Sequence, residues 1–592
     1  MTTYFKLPKM LDIAPAKKGA CTSDNTRFLK KPWEIYSNGI MLQESFESAR
    51  KNWSPYVLGA KGKAWFEGLE DIILWANNGL QVKLFNAYLY KSFTRSIQNQ
   101  DSYFVRGIAF SSTGANFRAR THRYKSIFDT NASSVFPSNL DSVVCLMNST
   151  IARYTLQSLN PTISFKINDV NRLPLFPIES ATEIFAQLDR AFTQHEAARE
   201  TSVEFQHPGD TCWNSAQAWA QQAVDRPAGA PLPDWNPVHE APPATHWVSY
   251  AIGVALGRFP ATAEPLPHGI LYLSGYSGDR PDSKDSLNHP ASQPIHTAWG
   301  EYGSEIAKTT LHKWLRLNFF KDVHLAMYEN RPIYFPLTSK AKNFVAYISI
   351  HRWNDTTLST LLSDYLIPEY RQLEGELADL IETRSQGDTK AQTQAEKHYN
   401  DILQLRDELK TFIDQIRQCA EQHPPKAHPK DPDCQTQARF VMDLNDGVMI
   451  NSAALWSLLE PQWTKPKTWW SELCTAQGKK DYDWSHLAAR YFSDRVNAKC
   501  QKDPSLAVAH GCFWQYHPAK AYEWELRLQD EIAPEFTIDE EESDRLRTEF
   551  ETNNPQAILD LKEKEEKRRD RKRMKESANE HGSLFEQEEV EE

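Results

Sequence analysis

Residues 103–128 read YFVRGIAFSSTGANFRARTHRYKSIF, and this stretch decides the fold and the use of the 592-residue chain. Apolar and polar residues alternate at a spacing of two, with Ser and Thr in the turn, which predicts short strands presenting a polar edge. Arg106, Arg118, Arg120, Arg123 and Lys125 stand between aromatic residues. From residue 95 to residue 125 there are six Lys or Arg and one acid, Asp101, although the chain as a whole has a net charge of −11. Total charge argues against nucleic acid. The local excess of five positive charges marks one surface suited to an anionic polymer.

On the N-terminal side lie GACTSDNTRFLKKPWE (19–34) and a segment carrying Trp33, Trp53, Trp65 and Trp75. Thr22, Ser23 and Asp24 have the short oxygens of a helix N-cap or an Asx-turn. On the C-terminal side, LDSVVCLMNSTIARYTLQSL (140–159) has apolar residues at helical spacing, and NPTISFKINDVNRLPLFPI (160–178) reads as strand-like up to Pro174 and Pro177. A helical region is expected over 181–226, and PAGAPLPDWNPVHEAPPATH (227–246) is too rich in proline for a packed element, so it is a linker or a long surface loop.

Beyond Trp247 the pattern predicts a loop at 274–294, an amphipathic helix from Ser304 to Glu329, and strands over Pro332–Leu337 and Phe344–Ile350. Residues 368–423 form two apolar-striped helices broken at Ser385-Gln386-Gly387-Asp388, an antiparallel coiled-coil hairpin. PPKAHPKDPD (424–433) interrupts the pattern, a Trp-rich helical block runs from Phe440 to Ile532, and 538–592 is charge-dominated, a solvated helix and a disordered tail. The expected fold is α+β and mostly helical. Its expected domains are 1–180, a mixed α/β recognition domain; 181–246, helix and linker; 247–367, a mixed α/β spacer; 368–423, the hairpin; 434–535, the helical C-terminal block; and 536–592, the tail.

With 40% hydrophobic residues and 18 Trp there is material for a sizeable core. The N-terminus lacks an apolar signal region and no run reaches the length of a membrane span, which points to the cytoplasm and no membrane. The eight cysteines contain no C-x-x-C pair, so reduced packing thiols are expected.

The chemistry is bounded by what is missing. No two glycines are separated by one residue, so no G-x-G-x-x-G loop exists, and G-x-x-x-x-G-K-[ST], H-E-x-x-H and G-x-S-x-G are absent. An amino-methyltransferase needs an Asn/Asp-Pro-Pro-aromatic tetrapeptide, and Asn553-Asn554-Pro555-Gln556 does not qualify. Cys500, His510, Cys512 and His517 offer ligand chemistry at no standard zinc spacing, which favours a turn packed under Trp514 and Trp524 and no metal. Asp560 with Glu565 and Lys567 has nuclease-like spacing, but charge-rich helices produce such spacing freely. No catalytic residue is assigned.

Several runs, taken in order, carry a resemblance: 19–34, 103–128 and 140–178; ENRPIYFPLTSKAKNFVAYISIHRWNDTTLSTLLSDYL (329–366); DLNDGVMINSAALWSLL (443–459); and DYDWSHLAARYFSDRVNAKCQKDPSLAVAHGCFWQYHPAKAYEWELRLQDEI (481–532). The chain resembles the C-terminal half of the PglX family, the adenine-specific DNA methyltransferases of BREX phage defence, and more loosely the Type IIG restriction-modification methyltransferases. The resemblance implies a target-recognition domain over 1–180. It also implies an S-adenosylmethionine domain outside this chain, so no cofactor is expected in the chain itself.

Arg forks read guanine and Asn reads adenine, while Ser, Thr and Lys position phosphates. The expected DNA contacts are therefore Arg106, Asn116, Arg118, Arg120, Arg123 and Lys125, with Ser111, Ser112 and Thr113 in support. The expected partners are double-stranded DNA, a separately encoded catalytic half and other defence proteins. The alternative is a non-catalytic interaction scaffold of a defence complex.

Overall fold

The alternation in residues 103–128 becomes three short strands shared between two sheets. The computed structural model describes residues 7–35, 40, 52–59, 62–114, 116–260, 264–276, 284–384, 389–421, 452–463, 483–485, 488–489 and 493–588. Contacts divide the chain into two units, one drawn from 1–44, 54–73 and 97–493, the other from 45–53, 74–96 and 494–592.

In the first unit the strands are β1 (Leu29–Lys30), β2 (Trp53–Val57), β3 (Trp65–Glu67), β4 (Asp71–Leu74), β5 (Ile108–Phe110), β6 (Ala119–His122), β7 (Ile127–Phe128) and β8 (Ser134–Val135). They form sheets of order β1-β4-β2-β7 and β3-β6-β5-β8. β6 pairs parallel with β3 and antiparallel with β5, so Arg120 lies opposite both Trp65 and Ala109. Every residue of β5 and β6 is buried. The alternation does not give β6 the polar edge expected of it, because β3 and β5 pair along both of its edges and the Leu140–Asn148 helix packs on it. That helix locks the strand at Asn148, whose amide accepts from Ala119 N at 3.0 Å and donates to Ala119 O at 2.9 Å.

Asp24 caps the Asn25–Phe28 turn by accepting from Arg27 N, as its short side chain suggests. The 140–159 pattern holds two helices, Leu140–Asn148 and Thr150–Leu159, because Ser149 is extended and its hydroxyl accepts from Ala152 N. The strand-like reading of 160–178 is corrected. This segment makes only isolated bridges and a short helix, Ile167–Asn171, and Asn160 holds it locally through Ser164 O and Asp169. Helices Ala181–Ala198 and Trp213–Val224 pack against each other. The proline-rich stretch after them is fastened to the second helix, since the Trp219 indole donates to Pro233 O at 3.0 Å and packs edge-on against Trp235.

Farther along, β9 (Ile270–Ser274), β10 (Tyr334–Thr338) and β11 (Phe344–Ser349) form an antiparallel sheet of order β10-β11-β9 with every residue buried. The helix expected from Ser304 is in fact two rods. Gln293–Ile306 stops at the extended Ala307, and a new helix starts after Thr310, whose hydroxyl accepts from Lys313 N. This second rod is π-helical over Leu315–His324 and buries Leu315, Phe319 and Phe320. The expected hairpin is present as Ile367–Thr383 and Thr389–Glu421. Its antiparallel sense follows from the Arg384–Glu396 and Glu376–His398 pairs.

The second unit contains the helices Ala76–Tyr90, Pro504–Ala509, Pro518–Glu531, Ser543–Asn553 and Pro555–Glu588. The first opens on left-handed residues Asn77, Asn78 and Gly79. Asn tolerates that conformation, whereas at Gly79 a Cβ would also meet the Trp75 ring at 2.8 Å. Asp503 caps Pro504–Ala509 by accepting from Ser505 N and Leu506 N. Asp503→Ala is expected to cost about 1 kcal/mol in equilibrium unfolding. Expectations for 385–388, 424–433, 434–451 and 464–482, and for residues 589–592, fall outside the described residues. Among the described residues no helix is long and apolar enough to cross a membrane, and no disulfide joins the cysteines.

Candidate nucleic-acid interface

The β5–β6 pairing places the expected contact residues at two opposite ends. Phe110 pairs with Ala119, and beyond it Ser111 N bonds Arg118 O at 3.0 Å, so the 111–118 loop lies at one end. Arg106 and residues 123–125 lie at the other, roughly 13 Å away for four residues of strand.

At the loop end the sequence builds a small zipped platform. Gly114 N donates to Ile163 O at 2.9 Å, and Phe165 N donates to Ser112 O at 2.8 Å. The 111–116 loop and the 160–165 loop are thus tied together by backbone hydrogen bonds, and Phe117 packs edge-on against Phe165 beneath them. From this platform Thr113, Asn116 and Arg118 face solvent, and Ser112 is half-buried with its hydroxyl donating to Asn131 O at 2.9 Å. Ser111 is buried, and its hydroxyl donates to Arg118 O.

Arg118 also lines a polar cavity of about 370 Å3 together with Lys63, His195, Trp213 and Gln217. Burial holds the His195 imidazole below the ordinary histidine range, and Thr211 lies 3.2 Å from its Nδ1. Arg118 is the expected cation best placed to read a base edge: exposed, at a loop end, and among the described residues without a carboxylate partner.

Arg120 is not on this surface. It is 0% exposed, its Nε pairs with Glu67 and its Nη2 donates to Leu58 O. Burial pulls its pKa to about 10, which still leaves it charged at neutral pH. On the same strand His122 is pushed down to about 3, first by burial and then by Arg120 and Arg106, so it is a neutral core ring beside Ser134.

Arg123 is half-buried and committed to structure. It forks onto Glu204 at 2.9 and 2.7 Å and reaches Asp189 at 3.0 Å. The Glu204 hydrogen bonds hold its pKa above the ordinary value. Arg106 and Lys125 are exposed at the far end, with Arg106 Nε donating to His122 O at 3.3 Å.

Sequence reasoning missed Ile163, which is 73% exposed at the tip of the second loop, and Lys63 beside Arg118. Nothing local in the Thr162-Ile163-Ser164 run reveals that the loop turns outward. Elsewhere His517 Nε2 lies 2.8 Å from Cys500 O. Among the described residues no three His, Cys, Asp or Glu are gathered to hold a metal. In the tail, where a solvated face is expected, Lys567 is exposed and pairs with Glu563, but Glu565 is buried and pairs with Arg568. The described residues do not fit S-adenosylmethionine. Among the described residues the parallel strand pairings of these sheets, β2–β7 and β3–β6, span two and three residues, and no glycine-rich strand-to-helix turn follows either.

The chain is similar to the "Adenine-specific methyltransferase BrxX" of Escherichia coli O9:H4 (strain HS), 22% identical over 561 residues that cover 78% of this chain and 44% of that protein. It is similar also to the "Adenine-specific methyltransferase PglX" of Lacticaseibacillus casei (strain Zhang), 23% identical over 527 residues, 75% of this chain and 42% of that protein. The chain therefore spans less than half the length of the curated relatives it matches. No family model matches it. The resemblance to PglX-type methyltransferases drawn from the ordered runs is borne out by these homologues.

Proposed function

We propose that this chain is the DNA-sequence-recognition portion of a site-specific adenine-N6 DNA methyltransferase of phage defence, acting in the cytoplasm on double-stranded DNA. Methyl transfer itself falls to a catalytic part, distinct from these recognition residues, that holds S-adenosylmethionine. The observation that carries the reading is the zipped platform, which sets Thr113, Asn116 and Arg118 toward solvent on a rigid base within a chain homologous to adenine-specific methyltransferases. Arg118 supplies a planar fork for a guanine edge, Asn116 an amide for adenine, and Thr113 with Ser112 the hydroxyls for phosphate. Arg106 and Lys125, at the other end of the strand pair, suit phosphates farther along the duplex. Arg123 acts through Glu204 and Asp189 by holding its loop, and Arg120 and Ser111 by holding the sheet.

The test is selection of bound duplexes from a random pool, followed by titration. Arg118→Ala is expected to weaken the selected duplex by roughly tenfold, the scale of one lost bidentate base contact, and to relax the choice of base at one position. An Arg118→Ala protein that selects the same sequence with the parent's affinity would sink the proposal.

A further inference from the structure

The second unit carries a groove that the recognition platform does not use. Three helices bound it, and each turns one face inward: Leu84, Ala87 and Lys91 at the end of Ala76–Tyr90, Lys520, Glu523 and Trp524 on Pro518–Glu531, and residues 560, 564, 567 and 571 on Pro555–Glu588. The steps of three and four residues put each set on a single helix face. The groove encloses about 800 Å3. In its floor the Phe93 and Trp524 rings lie 5.9 Å apart, and the Arg527 guanidinium covers both at 4.7 and 4.9 Å.

Its walls hold seven cations against four carboxylates, in a chain whose total charge is −11. Four of the cations are already neutralised: Arg527 by Glu531, Lys564 by Glu523, Lys567 by Glu563 and Arg568 by Glu565. The other three, Lys91, Lys520 and Arg571, are exposed, and among the described residues none has a carboxylate partner. They come from three different helices, so the fold, and not one basic run, concentrates them. Beside Lys91 the helix end exposes Tyr88 and Tyr90, 52% and 48% accessible. Unpaired cations next to exposed aromatic rings match a phosphate backbone with its sugars and bases better than an acidic peptide, which offers the rings nothing to stack on.

We infer that this groove binds the phosphate backbone of the DNA, a sequence-blind contact added to the recognition platform; the inference deepens the DNA-recognition reading and rests on it. Each neutralised phosphate releases counterions, so the contact is read as a salt slope. The experiment uses the full chain and compares the parent, the triple variant Lys91→Gln/Lys520→Gln/Arg571→Gln, and Arg118→Ala. Each is titrated with its selected duplex and with a random-sequence duplex between about 50 and 200 mM salt.

The triple variant is expected to lower the log–log slope by about two to three on both duplexes and to keep the parent's ratio of selected to random affinity. Arg118→Ala is expected to lose that ratio while keeping most of the slope. A triple variant with the parent's slope overturns the groove proposal, whatever Arg118→Ala does. So does a polyglutamate peptide that the parent binds and the triple variant releases while duplex binding stays unchanged. A parent that shows no sequence preference, beside a triple variant that still loses slope, overturns the recognition reading and leaves the groove standing.

Discussion

Arg120→Ala is expected to destabilise the first unit by about 3–5 kcal/mol, the usual cost of removing one partner of a buried ion pair. The guanidinium is fully enclosed at the centre of the β3-β6-β5-β8 sheet, where it pairs with Glu67 and also satisfies Leu58 O. Truncation leaves the Glu67 carboxylate buried, with Lys63 at 4.0 Å, and leaves Leu58 O without this donor. The double variant Arg120→Met/Glu67→Met removes both charges and fills the space, so it is expected to recover most of the loss. Arg118→Ala, two residues away on an exposed loop end, is expected to leave the unfolding midpoint within about 0.5 kcal/mol of the parent. Equilibrium denaturation of the three variants separates the roles. If Arg120→Ala unfolds like the parent and loses only DNA affinity, the side chain belongs on the interface after all.

That contrast shows how far local sequence carries the argument. The spacing of residues 103–128 correctly announces strands, because alternation of apolar and polar residues is a property of a few neighbours. It cannot tell which cations remain available, because their partners return from far along the chain. Glu67 precedes Arg120 by 53 residues, and Asp189 and Glu204 follow Arg123 by 66 and 81. The same limit explains the 160–178 segment. Its β-branched residues suggested a strand, but Asn160 folds it back on itself through Ser164 and Asp169. The helix expected from Ser304 failed for a more local reason. Thr310 offered a cap, and the apolar stripe that follows it belongs to a rod starting there. The overall resemblance to adenine-specific methyltransferases was legible in the sequence, since it does not depend on tertiary partners.

The second unit should become more stable as pH rises from about 8 to about 10.5, and Lys83 should be the cause. This lysine is 0% exposed under the Trp75 and Phe93 rings, and its ammonium stands 3.5 Å from Glu531, beyond a good hydrogen bond. Burial is the main force bringing its pKa from 10.5 to about 8; Glu531 opposes it, and Arg527 and Arg568 add to it. One carboxylate serves three cations, which is why Glu531 itself sits below the ordinary range although burial pushes it up. The folded pKa lies below the unfolded one, so between them the unfolded chain binds more protons and stability increases with pH. Below about 8 the penalty of holding the buried charge is present in full. A shift of this size corresponds to about 3 kcal/mol. Lys83→Met keeps the volume without the charge. It is expected to raise stability at neutral pH and to flatten the rise, and amide hydrogen exchange along Ala76–Tyr90 measured against pH reads both effects. Equal pH dependence in the parent and in Lys83→Met would show that the buried ammonium does not govern this unit's stability.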